Sequence, residues 1–92
     1  MPNFGLAELK ELLASCAGID EQFEAADNVL DTEFADLGYD SLALLEVAGR
    51  VSRDYGVPMP DDAHEYMATP RAAIEFINER FARAASAGAG TV

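Results

Sequence analysis

Residues 36–46 read Asp-Leu-Gly-Tyr-Asp-Ser-Leu-Ala-Leu-Leu-Glu and place Ser41 directly after Asp40, behind a glycine-containing turn and at the entrance of an apolar run with helical spacing. A hydroxyl at such a position projects from the first turn of a helix, where unpaired backbone N–H groups and the positive end of the macrodipole favour an attached phosphate. Ser41 therefore reads as a tethering point. The same triplet also has a plain use, because Asp and Ser are preferred N-cap residues and Asp-Ser-Leu opens helices in unrelated proteins. What surrounds the serine has to decide between the two.

Other chemistries find no support. A hydrolase built on Ser41 needs a base and an oxyanion pocket, yet the single histidine, His64, falls in a different short element and no Gly-x-Ser-x-Gly elbow exists. Catalysis by this chain alone is excluded. Asp61 and Asp62 precede His64, which is expected close to solvent and away from any metal-ligand set. The stretch 27–36 lacks the alternating Asp, central Gly and terminal Glu of a calcium loop, so no metal site is expected. Cys16, the only cysteine, has no internal disulfide partner and reads as a small apolar group in the last turn of a helix.

Charge narrows the partners. The 92 residues suit one small domain, and 17 acids against 6 bases give a formal net charge of −11. Such a surface repels nucleic acid and anionic lipid and steers toward proteins with basic docking faces. Asp20, Glu21, Glu24, Asp27, Asp31, Glu33, Asp36, Asp40 and Glu46 follow one another with no base between them, which focuses the acidity around Ser41. Beside the serine, Leu42 and Leu45 lie off the main apolar stripe, either as a broadened core face or as a partly exposed pair. Each contributes about 1.5 to 3 kcal/mol if a partner buries it fully, enough to anchor a contact that the acids orient. No basic start followed by an apolar stretch appears, and the apolar runs are too short to cross a bilayer. A cytoplasmic monomer is the expectation.

The apolar periodicity supplies the elements. Leu6, Leu9, Leu12, Leu13 and Cys16 step by threes and fours, predicting a first helix over 6–17 that Gly18 ends. Residues 19–39 show no sustained period and read as a long ordered loop, pinned by Phe23, Val29, Leu30, Phe34 and Leu37 and containing at most a short helical turn; a connection of that length points to a recognition surface. A second helix over 41–55 puts Leu44, Val47, Ala48, Val51 and Tyr55 on one stripe, with Gly56 as its stop. Val57-Pro58-Met59-Pro60 is extended, Asp61 and Asp62 cap a short helix to about residue 67, and Thr69-Pro70 opens a last helix to about residue 84. In that last helix Ala73, Ile74, Ile77 and Phe81 face inward, with Asn78 at the rim in a hydrogen-bonding role. Residues 85–92 are an Ala/Gly-rich tail expected to be disordered, leaving 1–84 as the domain.

Three longer helices, one short helix before the last, and a serine among acids at the start of the second resemble the acyl carrier protein family over about residues 5–84. The resemblance implies an all-α four-helix bundle of acyl carrier type and 4'-phosphopantetheine attached to Ser41 through a phosphodiester, its thiol holding acyl groups as thioesters. It also implies that Asp40 and Leu42 help a phosphopantetheinyl transferase recognise Ser41. Glu46, Leu45 and Asp36 are then the partner-docking residues, and growing chains are partly sheltered between the second and third helices. More narrowly, residues 34–44, Tyr55-Gly56-Val57 and Pro60-Asp61-Asp62 look like the carriers of bacterial type II polyketide synthases that make aromatic products. The partners this implies are ketosynthase/chain length factor, malonyl transferase, ketoreductase and cyclases. Fatty acid carriers commonly show Gly-Ala-Asp-Ser-Leu followed by an acid, whereas Tyr39 and Ala43 stand here, and Arg50 and Arg53 dilute the acidity of the second helix. Peptidyl carriers usually have a Gly-Gly-His/Asp-Ser setting and less acidity. A passive acidic adaptor is the remaining alternative.

Overall fold

The computed structural model describes residues 4–16, 18, 23 and 28–90, of which 85–90 as helical backbone. Three α-helices carry it: α1 (Leu6–Cys16), α2 (Ser41–Tyr55) and α3 (Pro70–Gly90), with two 3-10 helices, η1 (Val29–Asp31) and η2 (Ala63–Tyr66). No strand occurs among the described residues. Helix α1 packs on both α2 and α3, η2 rests mainly on α2, and η1 lies against α3.

Local chemistry sets the helix ends. Gly5 accepts the first α1 bond from Leu9 N–H at 3.0 Å, and its own N–H donates to the Glu8 carboxylate at 2.8 Å, the returning half of a capping box. Thr69 Oγ1 accepts from Ala72 N–H at 3.1 Å, so Thr69-Pro70 opens α3 as its sequence dictates. Gly56 ends α2 in the left-handed conformation, φ +67°, which costs a residue without Cβ nothing.

The stripes meet as the periodicity requires. Leu9, Leu12 and Leu13 of α1, Leu44, Val47, Ala48 and Val51 of α2, and Ala73, Ile77 and Phe81 of α3 form one buried cluster, closed from the side by Phe34, Leu37 and Tyr39. Leu6, Cys16 and Ile74 pack on its margin. Phe4, Val57 and Met67, which no periodic stripe contains, are also buried.

Four features depart from the sequence reading. Tyr55, expected inward, is 37 % exposed and touches the core through its ring face toward Phe81, centroids 5.1 Å apart, and its contact with Phe4. At the last turn of a helix the stripe runs past its neighbours. The short helix expected over 61–67 is the four-residue η2, and Asp62 makes no side-chain capping bond to it. Pro58 and Pro60 precede it and Thr69 already caps α3, which leaves little chain between them for more than a single turn. His64 is half-buried with Nδ1 enclosed and unpaired among the described residues, rather than close to solvent. Finally, α3 runs on to Gly90, through residues expected to be disordered, carried by the high helix propensity of Ala85, Ala87 and Ala89. Much of the segment 19–27 lies outside the described residues, but Phe23 and, further on, Phe34 and Leu37 are buried as anchors of the loop.

Two long-range polar links tie the ends down. The Asp31 carboxylate takes a two-point contact from Arg71, 2.7 and 3.3 Å, joining η1 to α3. Hydrogen bonding from Arg71 holds the Asp31 carboxyl below its ordinary range, so the link persists above the usual carboxylate range and is lost only as acidification passes this lowered value. Both partners are exposed, and such pairs add little to stability. Asn78 does more: its Oδ1 accepts from Phe4 N–H at 3.0 Å and its Nδ2 donates to Phe4 C=O at 2.8 Å, satisfying both backbone groups of a buried residue. Asn78→Ala is expected to lower the unfolding free energy by about 1 to 3 kcal/mol while leaving helical content intact, as read by urea unfolding followed by circular dichroism.

Candidate functional site

The serine turn is built from alternating buried and exposed residues. Phe34 C=O accepts from Leu37 N–H at 3.0 Å and from Tyr39 N–H at 2.9 Å, winding residues 34–39 into a tight turn. Gly38 adopts φ +92°, a conformation L side chains rarely take, and this lets Tyr39 return to the core. Phe34 N–H donates to Ala68 C=O at 2.8 Å and so fastens the turn to the connection before α3. Phe34, Leu37 and Tyr39 are buried, whereas Asp36 is exposed on the outside. The Tyr39 ring stands edge-on to Phe34 and Phe23, centroids 6.0 and 6.2 Å away, and its hydroxyl donates to Gly18 C=O at 3.0 Å.

Asp40 then caps α2. Its backbone is extended, φ −96° and ψ 179°, its carboxylate accepts from Ala43 N–H at 2.9 Å, and its C=O accepts from Leu44 N–H at 3.2 Å. Ser41 is the first helical residue and is exposed. The earliest N–H groups of the turn have no partner within the helix. Leu42 is 62 % exposed, the most exposed large apolar side chain among those described. One turn on from Ser41, Leu45 is half-buried and lines an open groove of about 350 Å³ with Ala48, Gly49, Ser52, Met59 and Pro60. Glu46 is exposed.

Asp36, Asp40, Leu42 and Glu46 thus share with Ser41 an outward-facing setting, and Leu45 leads from it into the groove. The bases of α2 sit further along: Arg50 and Arg53 lie 3.4 and 3.7 Å from the Asp54 carboxylate, which offsets part of their charge. Acidity therefore stays at the serine end of the helix. Cys16 takes no part, since burial pushes its thiol up, only partly opposed by Arg50, and a neutral thiol is a poor nucleophile. Among the described residues no group of three or more His, Cys, Asp or Glu is placed to hold a metal ion, and no helix is long and apolar enough to cross a membrane. What sequence reasoning missed is the buried role of Tyr39; its only signal was a bulky aromatic immediately before the cap.

An exposed hydroxyl on a helix start, with free N–H groups beside it, accommodates a phosphodiester without disturbing the core. Comparison with known proteins points the same way. Residues 7–77 match the family described as phosphopantetheine attachment site. The oxytetracycline polyketide synthase acyl carrier protein of Streptomyces rimosus is 47 % identical over 85 residues, covering 92 % of this chain and 90 % of the relative. The actinorhodin polyketide synthase acyl carrier protein of Streptomyces coelicolor is 42 % identical over 78 residues, covering 85 % and 91 %. Among solved structures, the oxytetracycline acyl carrier protein superposes with a TM-score of 0.74 at 48 % identity, covering 91 % of this chain and 88 % of that one. A 3-oxo-butyl intermediate mimic on the actinorhodin carrier superposes with a TM-score of 0.77 at 39 % identity, covering 90 % and 96 %.

The capping geometry makes a separable claim about Asp40. Asp40→Ala is expected to cost about 1 kcal/mol of stability, whereas Asp40→Asn, which caps equally well, stays within a few tenths of the parent in chemical unfolding.

Proposed function

The chain belongs to the phosphopantetheine attachment family of carrier proteins, and from that premise we propose that Ser41 is the residue that bears the arm. The chain is a non-catalytic carrier that holds acyl groups on covalent 4'-phosphopantetheine, whose terminal thiol forms the thioester when the group is in place. The observation that carries the Ser41 assignment is the exposure of this hydroxyl on the first residue of a capped helix. Asp40 holds the helix start in one conformation, and Leu42 offers the modifying transferase an apolar contact immediately beside the reacting oxygen. A flexible tether raises the effective concentration of cargo at each partner in turn, so one small protein can serve several enzymes.

The cargo we assign is starter, extender and growing polyketide chain, on the strength of the relatives' names and of the 3-oxo-butyl mimic borne by one of them. Work with synthase enzymes follows from the family. The particular partners proposed are the phosphopantetheinyl transferase, ketosynthase/chain length factor, malonyl transferase, ketoreductase and cyclases, acting on a cytoplasmic monomer. Glu46, Leu45 and Asp36 would meet them. The domain is proposed to end near residue 84, and the fold to be a four-helix bundle with η2 in the place of the short third helix. Leu45 and its groove offer the proximal part of a tethered chain some shelter.

Incubation with a phosphopantetheinyl transferase and coenzyme A is expected to add a single phosphopantetheine, seen by intact mass, and a malonyl donor to add a malonyl group to that product. Ser41→Ala should remain helical and unmodified. An unchanged mass for the parent, under conditions that modify a control carrier, would overturn the assignment. Charge reversal at Glu46 should slow association with a basic partner severalfold at low salt and leave dissociation nearly unchanged; equal association rates in stopped flow would remove the docking role.

A further inference from the structure

We propose that Tyr39 is a positioning residue for modification of Ser41: its buried phenol ties the turn that presents the serine to the exit of α1. This rests on the assignment of Ser41 as the attachment residue. A ring that is 6 % exposed and flanked edge-on by Phe23 and Phe34 could be Phe as far as packing is concerned. The hydroxyl needs a separate reason. Carried into the interior, it costs free energy unless it finds a partner. It finds one 21 residues back, in the Gly18 carbonyl at 3.0 Å, at the point where the chain leaves α1 with φ +83°. One bond thus gives the phenol its partner and joins two segments.

The position of that bond gives it consequence for the site. Only Asp40 separates Tyr39 from Ser41, and Asp40 is extended and held at its carboxylate by Ala43 N–H. Displacement of Tyr39 is passed to Ser41 through this single constrained residue. On the other side, Phe34 N–H is fixed to Ala68 C=O, so the turn is held from the η2–α3 connection and, through Tyr39, from α1. Without the phenol oxygen the turn keeps its hydrophobic seat and loses its tie to Gly18. A transferase then meets the serine in its presented geometry for a smaller fraction of the time, and apparent affinity falls by that fraction. The chemistry after binding is unaltered.

Steady-state kinetics of phosphopantetheine transfer test this with the full chain. Tyr39→Phe is expected to raise KM for the carrier roughly three- to tenfold with kcat unchanged, the equivalent of one net hydrogen bond. Ile77→Val, a core variant on α3 with a comparable loss of stability, should leave KM at the parent value. Amide signals of residues 40–43 should shift in Tyr39→Phe and not in Ile77→Val. A KM for Tyr39→Phe within twofold of the parent, or an equal rise in Ile77→Val, overturns the positioning role. Failure of the parent itself to be loaded removes the Ser41 assignment and this role together, and is distinguished by intact mass.

Discussion

Everything at the site depends on the chain passing from interior to solvent within two residues, from buried Tyr39 to exposed Ser41. A backbone left free at such a crossing would let the helix start fray. Here the crossing is held from below by three aromatic rings and from above by a carboxylate cap. The two devices are unlike in kind. Ring packing is non-directional and fixes where the turn sits, while the cap is directional and fixes where α2 begins. A serine following both inherits a defined position although its own side chain is packed against nothing in the core.

The core behind that crossing is apolar, for no polar or charged residue among those described is buried. Stability of this kind is indifferent to the pattern of surface charge, which leaves the surface free to be strongly acidic. Self-repulsion from a net charge of −11 is a cost, and it is relieved where bases are paired at close range: Arg50 and Arg53 with Asp54, Arg71 with Asp31, Arg83 with Glu79. These exposed pairs contribute little to folding. Asp36, Asp40 and Glu46 take part in none of these pairs and keep their charge beside the serine.

How much of this was legible in the sequence follows from the range of the interactions involved. Ser41, its cap, the Gly56 stop and the Thr69-Pro70 start are written in neighbouring residues, so a local reading finds them, and the stripes of α1, α2 and α3 need only a period. Asn78 reads from periodicity as a rim residue in a hydrogen-bonding role, but its partner, Phe4, lies 74 residues away and carries no local mark. Phe4 and Met67 are buried by elements remote in sequence. Tyr55 fails in the opposite sense: periodicity points it inward, but at the end of α2 only Phe4 and Phe81 cover part of its ring. The length of η2 is limited by the nearness of the Thr69 cap of α3, and the extent of α3 reflects alanine propensity prevailing over Gly88 and Gly90.

The openness of the site also explains why a small domain of this design hands its chemistry to others. An active site gains from excluding water, since electrostatic stabilisation strengthens as the local dielectric falls. Ser41, Asp40, Leu42 and Glu46 are all exposed, so none of them works in such surroundings. What exposure supplies instead is access. A carrier has to leave each enzyme it meets, and a surface with one strongly exposed leucine beside a few acids is suited to brief contacts. Full burial of Leu42 is worth about 1.5 to 3 kcal/mol, well short of what a long-lived complex requires, while the acids raise the rate of encounter more than the lifetime. Replacing those acids with apolar residues would strengthen each contact and slow each release, and turnover of the whole assembly would then be limited by the carrier.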